Sequence, residues 1–574
     1  MPMPYTSDIQ KIQRHFLPSD FTITDWQQLE PWFQQLEQRP IENVAALEQW
    51  LRDLSELEAI ISEDACWRQV RMTCDTTDKN LEEAFNNFYL HIQPHIQPYA
   101  DRLNRKLIDC PHTQALDNNK YFTYLRSVKK NIDLFRPENI PLQAEMSVLQ
   151  QQYGTIAGRM AIEYEGKEYT LQQAARFLEN PDRKVRETIY RKVAERRSQD
   201  AETLQELFGK LVGLRHRIAQ HAGFDNYRDY KFAEMGRFDY KPADCERFHA
   251  AVEAHVLPLV NEIYTHHERR LGIQPLRPWD TEAEPEGTAP LRPFNDGKEL
   301  LSKTIDCFQR LNPFFADCLR RMDQMGHLDL DSRKGKAPGG YNMPLMESGA
   351  PFIFMNAAGQ MGDVTTMVHE GGHAIHSFLS HPLELSAFKE YPTEMAELAS
   401  MSMELFSMDH WQPFFDNEAE MKRAKRHQLE RVITIFPWIA TIDAFQHWVY
   451  LHPTHSVEER TAAWMETLQR FSTSAIDTQG LDAFREISWQ RQLHLFEVPF
   501  YYIEYGIAQL AAISMWKQYR ENSASALRHY TEALALGGTH TLPALYEKAG
   551  LSFDFSPDLI KDLMEMVRAE LETC

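Results

Sequence analysis

"TTMVHEGGHAIHSF", residues 365–378, carries three histidines, one glutamate and two adjacent glycines. Around them Val364, Met367, Val368, Ile375, Phe378 and Leu379 recur at the spacing of an amphipathic helix. His369, Glu370 and His373 form the pattern H-E-x-x-H. On a helix, positions i and i+4 project from one face, so both imidazoles can reach one cation while the glutamate between them sits beside it. Zinc suits imidazole nitrogen and carboxylate oxygen, and three protein ligands plus one water make the catalytic arrangement. Gly371 and Gly372 each cost about 1 kcal/mol relative to alanine inside a helix. They are expected to let another segment or a substrate approach closely; the alternative is loose packing without a role.

Such an ion needs a third ligand. A metzincin would have glycine at 376 and histidine at 379, but the chain has His376 and Leu379, which excludes that class. His376 lies near the same face as His369, yet three ligands strung along one helix splay too far for a compact tetrahedron. It is expected to pack or hydrogen-bond. Downstream, "KEYPTEMAELASMSMELF" (389–406) offers carboxylates on a second helix that starts at Pro392. Glu394 falls in the first turn, where the helix dipole alone explains an acid. Glu397 lies among Met395, Ala396, Leu398, Ala399 and Met401. A carboxylate there is costly unless paired or metal-bound, so Glu397 is favoured over Glu394, Glu390 and Glu404.

The rest of the chain bounds the setting. Of 574 residues, 61 are Lys or Arg and 83 are Asp or Glu, a formal charge of −22. An acidic surface disfavours nucleic acid or an anionic membrane as the main partner. Seven cysteines, odd in number, widely spaced and without a C-x-x-C pair, read as free thiols of a reducing compartment. The first sixteen residues lack an apolar signal core, and no run approaches the roughly 18 apolar residues of a membrane helix. A cytoplasmic protein is expected.

Helical periodicity begins near Asp25, as in "WQQLEPWFQQLEQ" (26–38) and "VAALEQWLRDLSELEAI" (44–60). "AIEYEGKEYTL" (161–171) alternates and turns at Glu165-Gly166-Lys167, as a hairpin does. "NPDRKVRETIYRKVAERRS" (180–198) interleaves charges and is expected to form a solvated helix face. Residues 276–298, rich in proline, glycine and acid, are expected to be a long surface connection. Short strands are expected at His327–Asp331 and Pro351–Asn356, and nearly everything beyond Val364 reads as helix. The architecture is therefore mostly α, with one small β element just upstream of the histidines.

"MVHEGGHAIHSF" followed by "EYPTEMAEL", with "GGYNMP", "PFIFMN" and "HLFEVPFYYIEYGIAQLAA", resembles the thimet oligopeptidase and neurolysin family, and its bacterial oligoendopeptidase F branch in particular. The resemblance covers roughly residues 200–560. It implies a two-lobed helical ellipsoid with a deep substrate channel and a small sheet near the zinc helix, a gluzincin-type neurolysin-like fold. A helical lobe with a hairpin (1–195) and a metallopeptidase region (196–574) would pack as one unit. It further implies that His369, His373 and Glu397 hold one zinc per chain and that Glu370 is the general base.

The resemblance also implies that, in the later segment, His494 and tyrosines contact substrate and the tetrahedral intermediate. Tyr501 and Tyr505 are i, i+4 and Tyr502 and Tyr505 are i, i+3, so one helix face can present two phenols. Tyr505 and Tyr502 rank ahead of Tyr501, which is assigned to substrate; the plain alternative is a tyrosine-rich core helix. "PFIFMN", with Phe352 and Phe354, resembles the family's edge strand, able to pair with an extended peptide. Gly339, Gly340 and Tyr341 form either a flexible loop that closes over the peptide or an ordinary turn. The expected activity is zinc-dependent hydrolysis of internal bonds in short peptides, by a monomer or weak homodimer whose channel excludes folded proteins. The competing expectation is a peptide-binding helical protein with a structural or vestigial zinc; a structural site normally closes with a fourth protein ligand, and no cysteine lies near this one in sequence.

Overall fold

Apolar residues at three- and four-residue intervals over nearly the whole chain make helices the dominant element. The structure, a computed structural model, describes residues 5–9, 11–285 and 287–574. Helix α1 (Val44–Cys74) begins at Asn43, whose side chain accepts the Ala46 N–H at 2.9 Å and so satisfies one of the orphan donors of a helix start. It buries Leu47, Trp50, Leu51, Leu54 and Leu57 against Leu29, Phe33 and Leu36. This core draws on residues from Leu17 to Val128, with Leu385 and Phe388 from the later chain. A larger core, apart from Ile9, runs from Leu142 to Leu571, and helix α2 (Ile140–Gly158) contributes to it.

Strands β1 (Ala161–Tyr164) and β2 (Lys167–Thr170) pair antiparallel. Glu165 (φ 50°) and Gly166 (φ 74°) supply the two left-handed residues that a type I′ turn demands. Helix α3 (Pro242–Ala251) follows further on. Residues 276–298 are irregular as expected, but they are not a loose surface strap. Leu276, Trp279 and Asp280 are fully or almost fully buried. Asp280 is held by Arg186 at 2.7 Å and Arg183 at 2.8 Å. A buried carboxylate must be paired, and that requirement pulls Arg186 off the face expected to be solvated; it is 3% exposed. Glu286 of this stretch, like residues 1–4 and 10 near the start, lies outside the described residues.

Helix α4 (Gly297–Leu311) precedes a three-stranded sheet of β3 (Leu328–Asp331), β4 (Tyr341–Met343) and β5 (Phe352–Ala357). The order is β3-β5-β4, with β5 parallel to β3 and antiparallel to β4. The strand containing Phe352 and Phe354 is therefore central, which corrects its expected edge position. Phe352, Ile353, Phe354 and Met355 are all buried, the run of apolar residues that marks a strand covered on both faces. The edges are β3 and β4, the latter formed by residues expected to lie in a loop.

Helix α5 (Met361–Ser380) starts where the Asp363 carboxylate accepts the N–H groups of Ala358 and Gln360 at 2.8 and 2.9 Å. It crosses helix α6 (Thr393–Ser407) at Gly372, where a Cβ would stand 2.6 Å from Ser400 Cα and 2.7 Å from the Ala399 carbonyl. At Gly371 a Cβ would meet the Phe308 ring of α4 at 2.8 Å. Both glycines are thus sites of close approach by other chain segments. The long helix α7 (Glu418–Leu451) and helix α8 (Tyr502–Glu521) complete the surroundings of the histidines. Among the described residues no helix is long and apolar enough to cross a membrane.

Candidate active site

Because α5 and α6 touch backbone to backbone at Gly372, their facing side chains converge. His369 Nε2 lies 3.3 Å from Glu397 Oε2, and His373 Nε2 lies 3.7 Å from Glu397 Oε1. Ligands about 2.1 Å from a tetrahedral ion stand roughly 3.4 Å from one another. The donor atoms of His369, His373 and Glu397 all lie within 4.8 Å of each other. Their chemistry and spacing fit zinc.

The electrostatics agree with that reading. Burial alone would raise the Glu397 carboxyl, but the two imidazoles and the Tyr501 phenol hold it down at about 2. Burial pushes His373 down to about 4, leaving a neutral imidazole. Burial opposes charge on His369 as well, yet Glu397 and Glu404 outweigh it and raise that ring well above its ordinary value. A proton held by His369 between two carboxylates occupies the place a cation would take, and metal binding releases such protons.

Glu404, weighed in the sequence as a rival behind Glu397, stands instead behind His369. Its Oε1 sits 2.7 Å from His369 Nδ1, the nitrogen facing away from the ion site. Its Oε2 accepts the Gln428 amide of α7 at 2.7 Å. Ligating histidines commonly give their second nitrogen to a carboxylate. That rule was a usable signal, because 397 and 404 are two helical turns apart on one face.

Glu370 is 5% exposed and its Oε2 has no hydrogen-bond partner. Burial pushes its carboxyl up to about 7, close to the operating pH that suits an acid–base group. Asn342 of β4 donates to the Glu370 carbonyl at 3.1 Å, tying the edge strand to α5. Gly340 comes close as well; a Cβ there would lie 3.6 Å from Glu370 Oε1. The loop from Lys336 is pinned, since Lys336 Nζ donates to the Asp331 carbonyl at 3.0 Å and Asn356 donates to the carbonyls of Ala337 and Gly339 at 2.9 Å.

His369, Glu370, His373 and Glu397 line a cleft of about 780 Å³ together with residues of α1 and α2. Gly340, Tyr341, His494, Tyr501 and Tyr505 border the same cleft. Tyr501 O–H donates to Glu397 Oε1 at 2.6 Å. Gln492 approaches His494 Nδ1 at 2.7 Å, which leaves Nε2 to meet the Tyr505 hydroxyl at 3.1 Å. Burial lowers His494 to about 4, so its ring is neutral. Tyr502 turns instead to a neighbouring pocket of about 200 Å³ that also touches His369, Glu370 and Tyr505. His376 is buried, its ring stacked on Tyr391 at 3.5 Å. Phe352 and Phe354 point away from the cleft into an apolar cluster with Val70, Ala337 and Leu345, and Tyr341 stacks on Phe354 at 4.8 Å. Their assignment to substrate is corrected on that ground: a central strand has no free edge, and these rings fill the layer beneath the sheet.

Residues 176–565 match Peptidase family M3, and residues 16–135 match the Peptidase M3 N-terminal domain. The chain belongs to peptidase family M3. This M3 chain is 23% identical over 375 residues to an oligoendopeptidase F homolog of Borreliella burgdorferi, covering 63% of this chain and 61% of that protein. It is 22% identical over 404 residues to oligopeptidase PepF of Bacillus subtilis, covering 69% and 58%. The matched part spans about three fifths of the length of these relatives. Among solved structures, PZ peptidase A with an inhibitor superposes with a TM-score of 0.92 at 27% identity, over 97% of this chain and 99% of that one. The mostly helical, neurolysin-like fold expected from the sequence is the fold of this M3 chain.

Proposed function

We propose that this M3 chain is a zinc-dependent endopeptidase that hydrolyses internal bonds of short peptides. The observation that carries the reading is the unpartnered Glu370 Oε2 beside a convergent His369–His373–Glu397 set on a cleft wall. His369, His373 and Glu397 would hold zinc, which when bound would supply Lewis-acid polarisation of the scissile carbonyl and a more acidic water. Glu370 takes the water proton and passes it to the leaving amine; its carboxyl, raised to about 7, can both accept and return it. Tyr505, backed by His494, is the donor placed to stabilise the developing oxyanion. Tyr501, engaged with Glu397, holds the ligand in position. The edge of β4 offers main-chain groups to an extended peptide, which binds without demanding a particular sequence.

All seven cysteines are free, which supports a reducing, cytoplasmic setting. The test combines metal analysis of the purified protein with mass mapping of fragments from a mixed peptide library. Zinc-dependent cuts at internal bonds are expected. Products trimmed only from chain ends would replace an endopeptidase by an exopeptidase, and binding without any cut would leave a peptide-binding protein.

A further inference from the structure

Far along the sequence from the first histidine cluster, helices α3 and α7 build a second. Cys245 and His249 are i, i+4 on α3, while Asp443 and His447 are i, i+4 on α7, so each pair shares one helix face. All four are buried: Cys245 and Asp443 show no exposure, His249 3% and His447 6%. The donor atoms of Cys245, Asp443 and His447 all lie within 4.8 Å of one another.

Two details separate this cluster from an ordinary buried hydrogen-bond network. His447 Nε2 stands 3.2 Å from Asp443 Oδ2, yet neither nitrogen of His447 makes a hydrogen bond, and Asp443 Oδ1 has none. Unsatisfied buried polar atoms cost about 1–3 kcal/mol each, and these belong to residues whose donor atoms converge within 4.8 Å of one another, which calls for a partner. The 3.2 Å separation also nearly repeats the 3.3 Å between His369 and Glu397 in the first cluster, the spacing of two ligands on one ion. His249 Nε2 donates to Asp443 Oδ2 over 2.8 Å, the carboxylate–histidine contact that orients ligands in metal sites.

We propose that Cys245, Asp443 and His447 form a second, buried zinc site, with His249 fixing the carboxylate through a hydrogen bond to Oδ2. Charge favours a divalent ion: one thiolate and one carboxylate supply two negative charges, so the filled site is neutral inside an apolar surrounding. The donor set favours zinc over calcium or magnesium, which prefer oxygen alone. On binding, the Cys245 thiol loses its proton to solvent and the sulfur–metal bond forms; nothing is oxidised or reduced.

The site braces the catalytic wall. The Phe500 ring packs on His447 at 5.5 Å, the Phe500 N–H donates to Gln446 of α7 at 2.6 Å, and Phe500 holds a left-handed φ of 66°. The next residue is Tyr501, which reaches Glu397.

Full-length protein produced in zinc-depleted, cobalt-supplemented medium tests the proposal through metal content and absorption spectrum. The first cluster offers only nitrogen and oxygen, so only the second can give a sulfur-to-cobalt charge-transfer band in the near ultraviolet. Wild type is expected to hold two metal ions per chain and to show the band. The band should survive His373→Ala, with one ion lost, and vanish in Cys245→Ala and in His447→Ala. Wild type with one ion per chain and no band overturns the site without recourse to any variant, as does a band that persists in folded Cys245→Ala.

Discussion

Helices α5 and α6 bring two histidines against a carboxylate, and helices α3 and α7 do much the same with a cysteine added. The closest histidine–carboxylate spacings, 3.3 and 3.2 Å, are almost equal. Their access to solvent is not: the side chains of His369 and His373 are 16% and 14% exposed, against 4% and 8% for His249 and His447. The first cluster faces a cleft and has Glu370 beside it; the second is enclosed by Phe232, Phe471 and Phe500. Ligand geometry is shared by reactive and structural sites, whereas chemistry needs access and an uncommitted proton acceptor.

The comparison breaks most sharply at Glu370. Glu370→Gln is expected to lower kcat by about 10²–10⁴-fold while metal content stays that of wild type; turnover on a quenched peptide and metal analysis read the two effects. Wild-type turnover in that variant would erase the distinction drawn between the clusters. Tyr505→Phe should reduce kcat by about 10²–10³-fold, the cost of one oxyanion donor, with little change in KM. Equal turnover in Tyr505→Phe and wild type would move that role to another donor.

Smaller effects sharpen the comparison. Glu404→Gln should weaken metal affinity by about 10–100-fold, measured by competition with a chelator, because the Nδ1 partner of His369 loses its charge. Gly372→Ala should cost about 1–3 kcal/mol of stability, read as a lower Tm, despite alanine's better helix propensity. Its Cβ has backbone on both sides, and an unchanged Tm would mean the helices can part freely. Smallest is Glu497→Gln on the cleft wall, where burial pushes the carboxyl up to about 8 from an ordinary 4.5. The native chain keeps a proton that the unfolded chain gives up, so wild-type stability falls as pH rises from about 4.5 through about 8. The variant should flatten that slope and gain about 1–2 kcal/mol at pH 8, visible in Tm against pH.

Legibility followed the length scale of each signal. H-E-x-x-H is visible because its residues share one helix turn, and Glu397 because an acid stands in an apolar run. The helical class was equally open, since period and composition agree over hundreds of residues. Strand β4 is not legible in the sequence because three residues, Tyr341 to Met343, are too few to show alternation. The burial of Arg186 and the packing of residues 276–298 depend on ion pairs between distant segments, Asp280 with Arg186 and Arg183. The α3–α7 cluster was the least accessible of all: His249 and Asp443 are 194 positions apart, so no local pattern unites them.

The short edge of β4 carries one more consequence. Three residues span about 10 Å, and Asn342 fastens them to the Glu370 backbone, so the proposed gripping rail and cutting point would form a fixed ruler. Sliding an extended peptide by two residues shifts its bonds by roughly 7 Å, past the reach of Glu370. Where a chain is cut would then be dictated by how its ends seat along that rail, and peptides too brief to lie across it and still reach the acid would leave whole.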